Sequence, residues 1–267
     1  MSRIAPTFDR LRAEGRIALM PYLCIGHPTP DALLDIVPAA ERAGADLFEL
    51  GVPFSDPLAD GATIQAATQR SLEQGLKVDA CFRQVRQLRE AGVAAPFCFM
   101  GYYNPIFQRG VDRFCAEAAD AGVDGFIVPD LPPEEADDLA EAARRHDLDL
   151  IFLLAPSSTE ARIRAVCERA SGFIYLVSLL GVTGARASLP TELESFVGRV
   201  RAHTDVPLAV GFGISTPQQA SRVAHIADGV IVGSAVVRVA DQAENPAAEV
   251  AEFVGGLRKA MDRVVTG

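Results

Sequence analysis

The chain has 267 residues, 49% hydrophobic and 22% charged, with a formal net charge of −10 at pH 7. This is an ordinary composition for a folded protein, and the length fits one large α/β domain, expected here over residues 1–267. The acidic balance excludes nucleic acid or an anionic membrane as a partner held by a general basic field, but it leaves room for a local phosphate pocket built from oriented backbone N–H groups.

The opening Met1–Phe8 lacks the roughly 7–15-residue apolar core of a signal peptide, and no window approaches the roughly 18 apolar residues of a membrane span. A soluble, cytoplasmic protein is therefore expected. Phe8 and Leu11 share one side of a leading segment that reads as an extra N-terminal helix closing a barrel floor. Short apolar runs follow, at Ala18–Ile25, Leu47–Val52, Phe97–Tyr102, Gly125–Pro129, Leu150–Leu154, Phe173–Ser178, Leu208–Gly211 and Gly229–Val232. Runs of this kind read as strands buried on both faces.

Amphipathic stretches lie between them, at Asp31–Ala43, Val78–Ala91, Val111–Ala121, Glu134–His146, Glu160–Arg169, Leu193–His203 and Pro217–Ala224, with a last helix near Ala247–Val264. Thr29, Thr159 and Thr216 are placed to cap helices, and Gly44, Gly92 and Gly122 to end them. Eight strands alternating with helices over about 250 residues is the pattern of a (β/α)8 TIM barrel. A doubly wound open sheet is the runner-up, disfavoured by the strand count and by the lack of a G-x-G-x-x-G opening the first helix. Two connections are unusually long, after Val52 and after Ser178, and barrel active sites are built from such loops at the strand C-terminal ends.

Five scattered cysteines, Cys24, Cys81, Cys98, Cys115 and Cys167, form no C-x-x-C pair and read as reduced core fillers. His27, His146, His203 and His225 show no metal-ligand spacing and read as surface or loop residues, so no metal site is expected.

The chemistry concentrates elsewhere. Glu49 sits in the middle of an apolar strand, where burying a carboxylate is costly and pushes its pKa upward. It is a candidate proton carrier, the alternative being a carboxylate held by a structural Arg or Lys. Asp60, in the Pro/Gly-punctuated loop that follows, is the second candidate acid. Asp56, in Ser-Asp-Pro, is expected to order that loop through side-chain-to-backbone bonds. Glycines cluster after three late strands, in Gly181–Gly184, Gly211–Gly213 and Gly233-Ser234. Such loops let backbone N–H groups approach a phosphate, although any one of them alone would only mark a turn. Tyr22, Met100, Tyr102, Ile127 and Phe212 would suit a flat apolar ligand fragment. Tyr175 is either core filler or a hydroxyl aimed into the barrel mouth.

These residues fall in stretches that resemble the α subunit of tryptophan synthase: Phe48–Gln65, Met100–Ile106, Gly125–Pro132, Tyr175–Arg186, Gly211–Ser215 and Asp228–Val236, in the family's order and across nearly the full length. The resemblance implies retro-aldol cleavage of indole-3-glycerol phosphate to indole and glyceraldehyde 3-phosphate. Glu49 matches the family's acid/base and Asp60 the acid that meets the indole N–H. Tyr22, Ile64, Met100, Tyr102, Ile127, Tyr175, Thr183 and Phe212 match the substrate pocket, and Gly184, Gly213, Gly233 and Ser234 the phosphate cradle. It further implies an α2β2 complex in which indole passes to a β subunit carrying pyridoxal phosphate, with no cofactor in this chain. The loops after the second and sixth strands would close over substrate. Three positions depart from the family's pattern: His27 where an acid is expected, Ala62 in place of a frequent proline, and Leu180 where a polar or small residue is common. A stand-alone lyase releasing free indole, a silent regulator and a different sugar-phosphate isomerase are the competing readings.

Overall fold

Every strand of the protein is a short, nearly all-apolar run. A computed structural model describes residues 1–178, 189–211 and 213–265. The strands are β1 (Ala18–Cys24), β2 (Phe48–Gly51), β3 (Phe97–Met100), β4 (Gly125–Ile127), β5 (Asp149–Ile151), β6 (Leu153–Leu154), β7 (Ile174–Val177), β8 (Leu208–Gly211) and β9 (Gly229–Val232). All pairings are parallel, in the order β5-β4-β3-β2-β1-β9-β8-β7-β6. The two ends of that order, β5 and β6, are halves of the single expected strand Leu150–Leu154, interrupted at Phe152. The sheet therefore returns upon itself as a (β/α)8 barrel, and its strictly sequential order leaves no reversal of the doubly wound kind.

Alternation along each strand decides what faces inward. Met20 and Tyr22 of β1, Cys98 and Met100 of β3, Tyr175 of β7, Ala209 of β8 and Ile231 of β9 pack in the barrel interior. Leu19, Phe48, Leu50, Phe97, Phe99, Leu176 and Val210 pack outward under the helices. Both faces are covered, which is why the strands read as continuous apolar runs rather than as alternating ones.

The helices are α1 (Ile4–Ala13), α2 (Leu33–Arg42), α3 (Ala62–Glu73), α4 (Val78–Glu90), α5 (Tyr103–Arg109), α6 (Val111–Ala121), α7 (Asp137–Arg145), α8 (Glu160–Arg169), α9 (Leu189–Arg201), α10 (Pro217–Ala224), α11 (Ser234–Gln242) and α12 (Pro246–Val265). The expected floor helix is α1. It drives Ile4, Phe8 and Leu11 into the interior cluster, with Phe8 against Phe173 at 5.9 Å between ring centroids. Thr159 caps α8 through the Arg162 N–H, and Thr216 forms a reciprocal capping box with Gln219. Thr29 caps nothing. The chain turns between Thr29 and Ala32, and α2 starts two residues later than expected, from Ala32, without a side-chain cap. Gly44, Gly92 and Gly122 follow their helices at φ +109°, +87° and +96°, backbone that side-chain-bearing residues rarely adopt.

The free thiols agree with the core-filler reading: Cys24, Cys81, Cys98 and Cys115 are buried, and burial pushes the Cys24 thiol up to about 11. Of the histidines expected at surface or loop positions, His27 lies in a loop but not at the surface. It is only 4% exposed, neither ring nitrogen has a hydrogen-bond partner, and its Nε2 lies 3.6 Å from the Asp241 carboxylate that pairs with Arg70. The turn after β1 folds inward against α3 and α11 instead of standing in solvent. No helix among the described residues is long and apolar enough to cross a membrane.

Candidate active site

Strand β2 places Glu49. Leu47, two residues earlier, packs in the barrel interior, and the register sets Glu49 beside Tyr22 of β1 and Cys98 of β3, both interior. The carboxyl is 1% exposed, and its Oε1 is buried with no hydrogen-bond partner. Among the described residues, no Arg or Lys pairs with it. Desolvation alone pushes its pKa up to about 8. Burial thus favours the protonated form of Glu49.

Asp60 is held differently. It ends the loop after β2, where its own N–H donates to the Pro57 carbonyl at 3.1 Å and its carbonyl accepts from the Gln65 side-chain amide at 2.8 Å. Burial raises its pKa, and a hydrogen bond from the Tyr102 hydroxyl opposes that rise. Asp56 does not order the loop as expected: its carboxylate accepts the neighbouring Ser55 hydroxyl at 2.5 Å rather than a backbone N–H.

Glu49 and Asp60 open onto one cavity of about 210 Å³ at the C-terminal mouth of the barrel. Tyr22, Ile64, Met100 and Tyr175 supply its apolar and aromatic wall, and Gly213, Gly233 and Ser234 also line it. Gly213 stands at φ +79°, and Gly233 and Ser234 open α11, whose Ser234 and Ala235 N–H groups lie ahead of the first helical hydrogen bond, from Val236 to the Gly233 carbonyl. Such a helix start receives anions. Tyr102 stands behind Asp60 rather than among the lining residues. Ile127 is fully buried in the barrel interior and does not line the cavity. Thr183, Gly184, Phe212 and Leu180 lie outside the described residues. Among the described residues, no group of three or more His, Cys, Asp or Glu side chains could hold a metal ion.

Four further lining residues, Gly61, Ala62, Thr63 and Ile214, were not expected from the sequence to face the cavity. The first three start α3 directly after Asp60, so the end of the Asp60 loop doubles as cavity wall. The helix itself was not foreseen, and its buried face of Ala67, Thr68 and Ser71 explains why. Small and polar residues leave no apolar stripe to detect.

A (β/α)8 barrel whose mouth cavity is lined by two carboxyls, both shifted upward by burial, has the makings of an enzyme site. Comparison with known proteins narrows the class. The profile of the tryptophan synthase alpha chain family matches residues 8–264. The tryptophan synthase alpha chain of Chloroflexus aurantiacus is 58% identical over 237 residues, covering 89% of each chain. That of Roseiflexus castenholzii is 55% identical over 260 residues, 97% of this chain and all of its own. The crystal structure of tryptophan synthase subunit alpha from Legionella pneumophila superposes with a TM-score of 0.92 at 37% identity, over 98% of this chain and 99% of that one.

The chain belongs to the tryptophan synthase alpha chain family. Its activity is the alpha reaction expected from the sequence, the lyase cleavage of indole-3-glycerol phosphate to indole and glyceraldehyde 3-phosphate.

Proposed function

We propose that Glu49 and Asp60 divide the work of this cleavage between them. The bond from indole C3 to the hydroxyl-bearing side-chain carbon breaks only once C3 is protonated, which makes the ring an electron sink. Glu49, neutral and facing the cavity, donates that proton. Asp60, as the carboxylate, accepts a hydrogen bond from the indole N–H and stabilises the positive charge that builds there. Glu49, now an anion, takes the proton of the adjacent hydroxyl. The C–C electron pair returns to the ring, indole leaves, and the other fragment becomes the aldehyde of glyceraldehyde 3-phosphate. Glu49 ends protonated, so one group serves as acid and then as base.

Tyr22, Ile64, Met100 and Tyr175 hold the indole ring, with Tyr102, Ile127, Thr183 and Phe212 as the family's further pocket positions. Gly213, Gly233 and Ser234, with Gly184, receive the phosphate at the start of α11. The observation that carries the reading is that both acids line one cavity, Glu49 fully buried with its Oε1 lacking a hydrogen-bond partner and Asp60 at the end of the loop after β2.

A single domain spanning the chain works in the cytoplasm with a β subunit as an α2β2 assembly. The pyridoxal phosphate belongs to that partner, and no cofactor is expected in this chain. Indole is small and apolar, and handing it to a docked partner prevents its loss. Indole release measured with and without a cognate β subunit tests the partnership. Weak activity alone and strong stimulation are expected, whereas full speed alone would leave a stand-alone lyase.

A further inference from the structure

The turn after β1 packs against the two helices whose first turns wall the cavity. Gly61, Ala62, Thr63 and Ile64 line it from the start of α3, and Gly233 and Ser234 from the start of α11. The walls meet there, since a Cβ on Gly233 would stand 3.8 Å from the Ile64 side chain. Towards the other ends of the same helices, Arg70 of α3 pairs with Oδ1 of Asp241 on α11. His27 lies against that pair, with its Nε2 3.6 Å from the same oxygen. The turn is fixed to α3 on either side of it: the Ser71 hydroxyl donates to the Ile25 carbonyl at 2.8 Å, and the Gln74 side-chain amide to the Pro28 carbonyl at 3.3 Å. The imidazole is buried, and neither of its nitrogens has a hydrogen-bond partner.

We propose that His27 is a proton-operated latch on the cavity: an imidazolium there takes the Asp241 oxygen that Arg70 holds, shifts the last turn of α11 against α3, and weakens the binding of substrate between their first turns. The neutral ring leaves that oxygen to Arg70, because 3.6 Å is too long for a hydrogen bond. The protonated ring carries a charge and two N–H donors. In a buried place both require a partner, and Asp241 supplies one. Each helix then runs unbroken from the pair to the cavity wall, which makes a contiguous path for the displacement.

The groups around the ring set the direction of the effect. Burial lowers the imidazole's pKa, the Asp241 carboxylate of α11 raises it, and the Arg70 guanidinium of α3 lowers it. Cys24, at the end of β1, is a neutral thiol pushed up to about 11, and Ser71 and Gln74 of α3 carry no charge. The ring is therefore neutral when Arg70 holds Asp241, and acid closes the latch. The latch acts on affinity and stands whichever residues carry the cleavage, so the roles of Glu49 and Asp60 are tested separately from it.

The test is the Kd of a non-cleavable indolyl-alkyl phosphate for the chain saturated with a cognate β subunit. It is measured from about pH 7.5 to about pH 5.5, which spans the ordinary imidazole value, in wild type, His27→Gln, Asp241→Asn and Arg70→Gln. The ligand's own phosphate titrates near pH 6, but equally for all four proteins, so the differences between them carry the result. On acidification the wild-type Kd is expected to rise at least about fivefold more than that of His27→Gln, the lower end of a coupling between two sites. Asp241→Asn removes the carboxylate that the imidazolium pulls, and should be as flat as His27→Gln. Arg70→Gln removes a repelling cation, so the midpoint of its rise should move to higher pH. A variant that only loosens the helix pair changes Kd at every pH and moves no midpoint, and this readout stands even if His27→Gln does not fold. Parallel profiles in wild type and His27→Gln, or an unmoved midpoint in Arg70→Gln, would overturn the latch.

Discussion

The phenol oxygen of Tyr22 occupies the space that a side chain on Gly51 would need: a Cβ there would stand 2.0 Å away. Gly51 follows Glu49 by two residues and so shares its inward face, and leaving that place empty lets the Tyr22 ring form the cavity wall beside the acid. The arrangement recurs on β7 and β8, where a Cβ on Gly211 would come within 2.2 Å of the Tyr175 hydroxyl. Gly51→Ala is expected to destabilise by about 1–3 kcal/mol through overpacking and to raise KM by displacing Tyr22 into the substrate's volume. Thermal unfolding and steady-state kinetics check it. Adding Tyr22→Leu, which removes the ring, should restore part of the stability; an additive loss in that pair would contradict the steric account.

Glu49 makes the enzyme sensitive to alkali in two ways. As an acid with its pKa near 8, it must be protonated to begin the cleavage, so indole release should decline as pH rises through about 8. Stability should move in the same direction. The native carboxyl keeps its proton above the ordinary glutamate value of 4.5 while the unfolded chain has already lost it. The unfolded state then binds fewer protons, and stability falls as pH climbs from about 4.5 to about 8. Glu49→Gln is neutral throughout. Melting temperatures across this range should show the variant gaining on the wild type as pH rises, and a constant difference would contradict the buried, unpaired carboxyl.

His27 acts at the other end of the scale. Burial lowers its pKa below 6.5, with the Asp241 carboxylate pulling it up and the Arg70 guanidinium pushing it down. As pH falls below 6.5 the unfolded chain takes up the proton first, so stability is lost with acidification through that window. His27→Gln removes the titration. The melting-temperature difference between wild type and variant should shift in the variant's favour from pH 7.5 to pH 5.5.

How much of this was legible from the residues alone depended on the kind of signal. Glu49 stood out because apolar strand residues surround it, and the strands themselves were found to within a residue or two because continuous apolar runs survive any loop geometry. The break of the fifth strand at Phe152 was not visible, since a pause in backbone pairing leaves the side chains apolar. Helix α5 is seven residues long and carries Pro105, too short to display a helical period, and the apolar start of α11, Ala235-Val236-Val237, runs on closely from the strand before it. The burial of His27 and the hydrogen bond from the Ala59 N–H to the Tyr102 hydroxyl arise between segments distant in the chain. Composition and spacing carry no trace of such contacts, which only the folded barrel brings together.

The central claim is that the acid facing this cavity from β2 cleaves the substrate. Its most direct test is indole release from indole-3-glycerol phosphate by wild type and Glu49→Gln, each saturated with a cognate β subunit, together with binding of a non-cleavable indolyl-alkyl phosphate. The account predicts that the variant loses at least about a thousandfold in turnover, within the range of general acid–base catalysis, and binds the analogue within about threefold of wild type. Turnover at the wild-type rate in Glu49→Gln would contradict it.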